Sequence, residues 1–146
     1  MSETAETLTL KRHLPADPET VFAAWTDGAN LRRWFIPGSV TVTEAELDVR
    51  VGGRFRIVMR GNDSGRDFGH DGEYLEVDPP RRLVFTWSGP SDPGSLVTIE
   101  LRPEGGGTEL TLTHERTPNA ETREAYRGGW TRILESQAKH LAAEAA

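Results

Sequence analysis

The sequence predicts an α+β domain in which a curved antiparallel sheet of about seven strands, in the order β-α-α-β6-α, wraps around a long C-terminal helix. Three observations predict it. Residues 40 to 115 alternate apolar and polar side chains in short runs separated by Gly, Pro, Asn and Asp, as half-buried strands do. From Asn119 to Ala143 the period changes: Tyr126, Trp130, Ile133, Leu134 and Leu141 recur at helical spacing and share one face. Two helix-start signals stand close together near the N-terminus. A single long amphipathic helix after a run of strands buries its face against the sheet.

Taken in order, Leu8 to Leu14 alternates weakly and reads as a first strand. Asp17-Pro18-Glu19 starts a helix, with Asp17 as cap, Pro18 at the first helical position and Glu19 near the positive end of the dipole. Val21, Phe22 and Trp25 form its apolar face. Thr26-Asp27 starts a second helix carrying Leu31, Trp34 and Phe35, stopped by Pro37-Gly38. Six strands follow. The first contains Val40-Thr41-Val42. After the break at Gly52-Gly53, Arg54 to Arg60 sets Phe55, Ile57 and Met59 against the arginines. Gly61 to Arg66 reads as a loop and Gly72 to Val77 as a strand ended by Pro79-Pro80. Leu83 to Ser88 places Leu83, Phe85 and Trp87 on one face. Gly89 to Ser95 reads as a second loop. Leu96 to Leu101 then turns through Gly105-Gly106-Gly107 into Glu109 to Glu115, a hairpin with Val97, Ile99 and Leu101 on one strand and Leu110, Leu112 and His114 on the other. Within the last helix, Gly128-Gly129 costs about 1 kcal/mol per residue relative to alanine. That predicts a close backbone approach, a kink that admits something beneath the helix, or a helix that begins only near Gly129.

The 146 residues are expected to form one domain, with residues 1–6 a flexible tail. No cysteine is present, which excludes a disulfide framework, a thiol nucleophile and a thiolate metal site and suits a reducing cytoplasm. The net charge of −6 argues against nucleic-acid binding. The N-terminus lacks a secretory pattern, and no apolar run approaches the ~18 residues of a membrane span. The expected localisation is cytoplasmic. GxSxG, P-loop, HExxH and dinucleotide-binding glycine patterns are absent, and His13, His70, His114 and His140 lack metal-ligand spacing. No cofactor is expected.

The chain resembles the helix-grip fold of the START and polyketide-cyclase (SRPBCC) superfamily, within it the branch related to the activator of the heat-shock-protein-90 ATPase. The resemblance is carried by Asp17 to Trp25 (DPETVFAAW), Leu31-Arg32-Arg33-Trp34-Phe35, Val51-Gly52-Gly53-Arg54-Phe55, Gly72 to Trp87, Gly107 to His114, and Gly129-Trp130 leading to His140-Leu141. These segments span most of the chain in the right order. The resemblance implies a cavity between helix and sheet for apolar or aromatic molecules, in a superfamily that includes lipid carriers, hormone receptors, cyclases and co-chaperone domains. Fold does not choose among them.

The inward set expected from this architecture is Phe55, Ile57, Met59, Phe85, Trp87, Ile99, Leu112, Tyr126, Trp130 and Leu134, with Trp34 near the mouth. Such sets also fill solid cores, and both readings stay open. The polar candidates are Glu73, His114 and the Tyr126 hydroxyl. Glu73 is expected on the face of Leu75 and Val77, buried or at the rim. His114 is expected to contact a ligand, work as an acid–base group with Glu73, or form an ordinary structural hydrogen bond. His70-Asp71 reads as a solvated turn. Three functions compete: binding of a small apolar or aromatic ligand, cyclase- or hydrolase-like catalysis, and interaction with a chaperone. A full co-chaperone is expected to carry an extra N-terminal domain, and none is expected in this chain, which weakens the third. A monomer or a homodimer fits equally.

Overall fold

A computed structural model describes residues 7–35, 39–90 and 92–145. The expected N-terminal tail and the Pro37-Gly38 helix stop lie outside the described residues. The elements run β1 (Leu8–Leu14), α1 (Pro18–Thr26), α2 (Gly28–Trp34), β2 (Val40–Leu47), β3 (Arg54–Gly61), β4 (Asp67–Asp78), β5 (Arg82–Gly89), β6 (Asp92–Glu104), β7 (Gly107–Glu115) and α3 (Ala120–Ala145). The strands form one antiparallel sheet in the order β1-β7-β6-β5-β4-β3-β2, so the α1–α2 pair carries the chain from one sheet edge to the other. This is the α+β helix-grip architecture the sequence predicts.

The short helices begin where their caps direct. Asp17 accepts from the Thr20 amide at 2.8 Å and Asp27 from the Ala29 amide at 3.0 Å, satisfying amides that have no partner inside the helix. Asn119 does the same for α3, accepting from the Thr122 amide at 2.8 Å. Helix α3 runs unbroken through Gly128-Gly129, so the helix does not begin at the glycines. Between β6 and β7, Gly105 and Gly106 have φ of +53° and +82°, the conformation of a tight primed hairpin turn.

Two strands are longer than composition suggests. β4 begins at Asp67, and the expected turn at His70-Asp71 is extended chain paired with β3: Met59 faces Phe68 and Ile57 faces His70. β6 begins at Asp92, leaving only residues 90 and 91 between β5 and β6. Pairing with a neighbour overrides weak local propensity in both. A bulge between Tyr74 and Glu76 also splits the expected Glu73-Leu75-Val77 face. Tyr74 and Val77 turn toward the core, while Leu75 is left 45 % exposed.

The core fills the hollow of the sheet. The backbone of α3 comes closest to β1 and α2. Over the middle strands, rings occupy the gap: Phe55 lies 5.4 Å from Phe85 and 5.8 Å from Trp87, and Trp87 lies 5.2 Å from Trp130, centroid to centroid. This packing tolerates no added atoms at Gly72. A Cβ there would sit 1.9 Å from the Thr86 carbonyl oxygen and 2.7 Å from the Phe55 ring. Gly72→Ala is therefore expected to destabilise the fold by about 1–3 kcal/mol, read as a lowered urea midpoint at constant slope.

Candidate functional site

The most closely connected polar group in the interior joins α3 to β6 and β7. Trp130 donates its indole N–H to His114 Nδ1 at 2.9 Å. An indole only donates, so Nδ1 accepts and the imidazole proton sits on Nε2. Nε2 then donates to Ser95 Oγ at 2.6 Å, and the Ser95 hydroxyl passes its own proton toward Asp92 Oδ2, also at 2.6 Å. Asp92 accepts further from the Tyr126 hydroxyl at 2.8 Å and the Gly94 amide at 2.9 Å. The Tyr126 ring stacks on His114 at 4.5 Å.

A serine, histidine and aspartate in contact invite comparison with a nucleophilic triad, but the polarity runs the other way. In a triad histidine accepts from the nucleophilic serine and donates to the aspartate. Here His114 donates to Ser95, and Ser95 donates to Asp92. The serine is held, not activated. His114 is 0 % exposed, and burial pushes its imidazole down to about 4, against a smaller opposing pull from Asp92. At neutral pH it is an uncharged link between helix and sheet.

Two small voids lie between the helices and the sheet, the first mainly under α1 and α2 and the second under α3. One, of about 20 Å³, is lined by Trp25, Phe35, Phe55, Phe85, Trp87 and Trp130, among others. The other, of about 60 Å³, lies among Phe35, Met59, His70, Trp87, Tyr126, Gly129, Trp130 and Ile133. Together they hold no more than a few water molecules and fall well short of the ~300–1,000 Å³ of a drug-sized pocket. A roomier space adjoins the second void on the outside: an open cleft of about 610 Å³ between β4 and the start of α3, with Phe68, His70, Pro90 and Tyr126 in its wall. His70 and Tyr126 belong to both the cleft and the larger void.

His70 holds this junction by stacking on Trp87 at 4.6 Å, with planes 18° apart. Its Nδ1 is buried against the Ser88–Gly89 backbone without a well-formed hydrogen bond. Burial is the largest influence on the ring and lowers its pKa, so His70 too is neutral at pH 7.

Of the residues expected inside, Phe55, Ile57, Met59, Phe85, Trp87, Tyr126 and Trp130 line these voids. Ile99, Leu112 and Leu134 are packed core. Trp34 is not at the mouth. It is 0 % exposed and packs edge-on against Trp25 at 4.9 Å. Glu73 lies across from Arg54 on the outer face of the sheet, its side chain 43 % exposed and 3.8 Å from the Arg54 guanidinium. Glu73 and His114 therefore point to opposite sides of the sheet and form no acid–base pair. Asp92, Ser95 and His70 complete the site from segments that read as loops by composition. Among the described residues, no group of His, Asp and Glu is arranged to hold a metal ion, and no helix is long and apolar enough to cross a membrane.

Comparison with known proteins agrees with this fold. Solved structures of similar fold include a Chromobacterium violaceum protein (31 % identity, TM-score 0.86, covering 93 % of this chain and 97 % of that one). A Rhodobacter sphaeroides protein follows at 30 % identity and TM-score 0.84, covering 98 % and 97 %. The AHSA1 protein of Silicibacter pomeroyi is 31 % identical with TM-score 0.84, covering 94 % and 99 %. A search of curated proteins finds no match. The model of the family described as "Activator of Hsp90 ATPase homolog 1-like protein" matches residues 15–142, from the turn before α1 to the last turns of α3. The chain belongs to that family.

Proposed function

We propose that this protein binds a small apolar or aromatic molecule at the junction between the outer cleft and the space beneath α3. One observation carries the reading: the 610 Å³ cleft and the 60 Å³ void share His70 and Tyr126, with Trp87 and Trp130 behind them. A ligand seated in the cleft has its inner end against rings that already pack face to face and edge to face. The small interior selects for size. A single-ring or short aliphatic group fits with side-chain adjustment, whereas a lipid chain would require the aromatic core to be expelled. The reading favours holding over turnover, since Ser95 and His114 are committed to each other and Glu73 lies on the far side of the sheet. Absence of cysteine supports a cytoplasmic location.

Native mass spectrometry of freshly purified protein, with extraction and analysis of what it carries, tests this reading. A bound small molecule, or saturable one-to-one quenching of tryptophan fluorescence by a panel of single-ring compounds, is expected. Protein that is empty and takes up none of the panel would overturn it. A chaperone partner is a second reading, favoured by the family match alone; failure to retain the heat-shock-protein-90 chaperone in a pull-down would retire it.

A further inference from the structure

Resting on the binding site just proposed, the charges around its mouth narrow the class of ligand. Asp92 is 3 % exposed, and the groups that hydrogen-bond to it are all neutral: the Gly94 amide and the hydroxyls of Ser95 and Tyr126. No arginine, lysine or histidine pairs with it in a salt bridge among the described residues. Buried carboxylates are ordinarily matched by a cation, because desolvating the charge is otherwise unfavourable. Tyr126 stands between this carboxylate and the cleft, and donating its proton to Asp92 makes the phenol ring a richer electron donor.

The cleft itself continues the pattern. Its wall carries the rings of Phe68, His70 and Tyr126 and one carboxylate, Glu121, in the first turn of α3; no basic side chain other than the neutral His70 lines it among the described residues. Aromatic rings beside a carboxylate, with a second and unmatched carboxylate behind Tyr126, favour a positive group over a neutral or negative one. An anionic ligand would meet Glu121 directly and Asp92 through Tyr126.

We propose that the mouth binds an organic cation, a primary or quaternary ammonium on a small apolar or aromatic body. The cation lies against Tyr126 and Phe68 within reach of Glu121, and the body points to the void beneath Gly129.

Three probes of matched size test it: benzyltrimethylammonium, its uncharged carbon isostere neopentylbenzene, and phenylacetate. Each is titrated into ¹⁵N-labelled protein while the tryptophan indole resonances are followed. The cation is expected to bind about tenfold more tightly than the isostere at low salt, as a desolvated cation–π contact allows, and phenylacetate more weakly than either. Half-molar salt should shrink the advantage. Glu121→Gln, an exposed substitution, and Asp92→Asn, which removes the charge at nearly constant volume but exchanges one acceptor for a donor, should each weaken the cation several-fold more than they weaken the isostere. Equal or tighter binding of the isostere or of phenylacetate would overturn the cation assignment while leaving the binding site in place. Failure of all three to bind, or wild-type affinity for the cation in both variants, would overturn it as well.

Discussion

Replacing Trp130 by alanine is expected to destabilise the protein by about 3–5 kcal/mol, the upper range for loss of a buried aromatic. The indole is buried and stands within 5.2 to 6.2 Å of Trp25, Phe35 and Trp87, ring centroid to ring centroid. It is also the donor that fixes the His114 proton on Nε2. Its removal therefore opens a cavity under α3 and leaves Nδ1 of a fully buried histidine unpaired. Trp130→Phe separates the two effects, keeping most of the ring and losing the hydrogen bond, for an expected loss of about 1–3 kcal/mol. Urea denaturation at pH 7.5 measures both. A loss below about 1 kcal/mol for the alanine variant, far outside that range, would mean that α3 is not anchored through this residue.

Acid titration should reveal the buried histidine. The folded-state pKa of His114 is lowered to about 4 from an ordinary value of 6.5, so between those values the unfolded chain binds a proton that the folded one refuses. The stability from a neutral His114 is fully present above about pH 6.5 and declines as pH falls toward 4. Below that both states are protonated and no further loss follows. At ~1.4 kcal/mol per unit, the window corresponds to about 3 kcal/mol. His70, lowered by burial as well, adds to the slope in the same direction. His114→Gln is expected to flatten the dependence between pH 6.5 and 4 relative to the parent, while leaving the contributions of surface carboxylates unchanged. Parallel curves for parent and variant would show that His114 is not buried and neutral.

The sheet and its roof were legible in the sequence because large apolar residues carry their period plainly. Phe55, Ile57 and Met59 face inward together, as do Phe85 and Trp87, and the roof residues Trp130, Ile133, Leu134 and Leu141 are all buried. Much of the polar half of the site was not legible. His70, Asp92 and Ser95 sit in glycine- and aspartate-rich stretches whose local preference is for turns. They are strands because β3 and β5 supply the ladder hydrogen bonds, and no local pattern records that partnership. Glu73 was misplaced for a related reason: the bulge after Tyr74 inserts one residue into the alternation, and a slip of one exchanges the two faces. The likeness of Ser95, Asp92 and His114 to a catalytic group could not have been weighed at all without the Trp130 hydrogen bond that sets the direction of the proton chain. One signal was available. His70 and His114 both occur in runs that also carry aromatic or β-branched residues, and a histidine in such a run is a candidate for the inner face.

Intermolecular nuclear Overhauser effects, measured on methyl-labelled protein saturated with the tightest-binding of the three probes, address the ligand site most directly. Binding beneath α3 predicts contacts from the probe to the Met59 and Ile133 methyl groups and to the Tyr126 ring, which surround the inner void. Contacts instead to Leu75 and Val51, the large apolar side chains most exposed among the described residues, with Met59 and Ile133 silent, would contradict it.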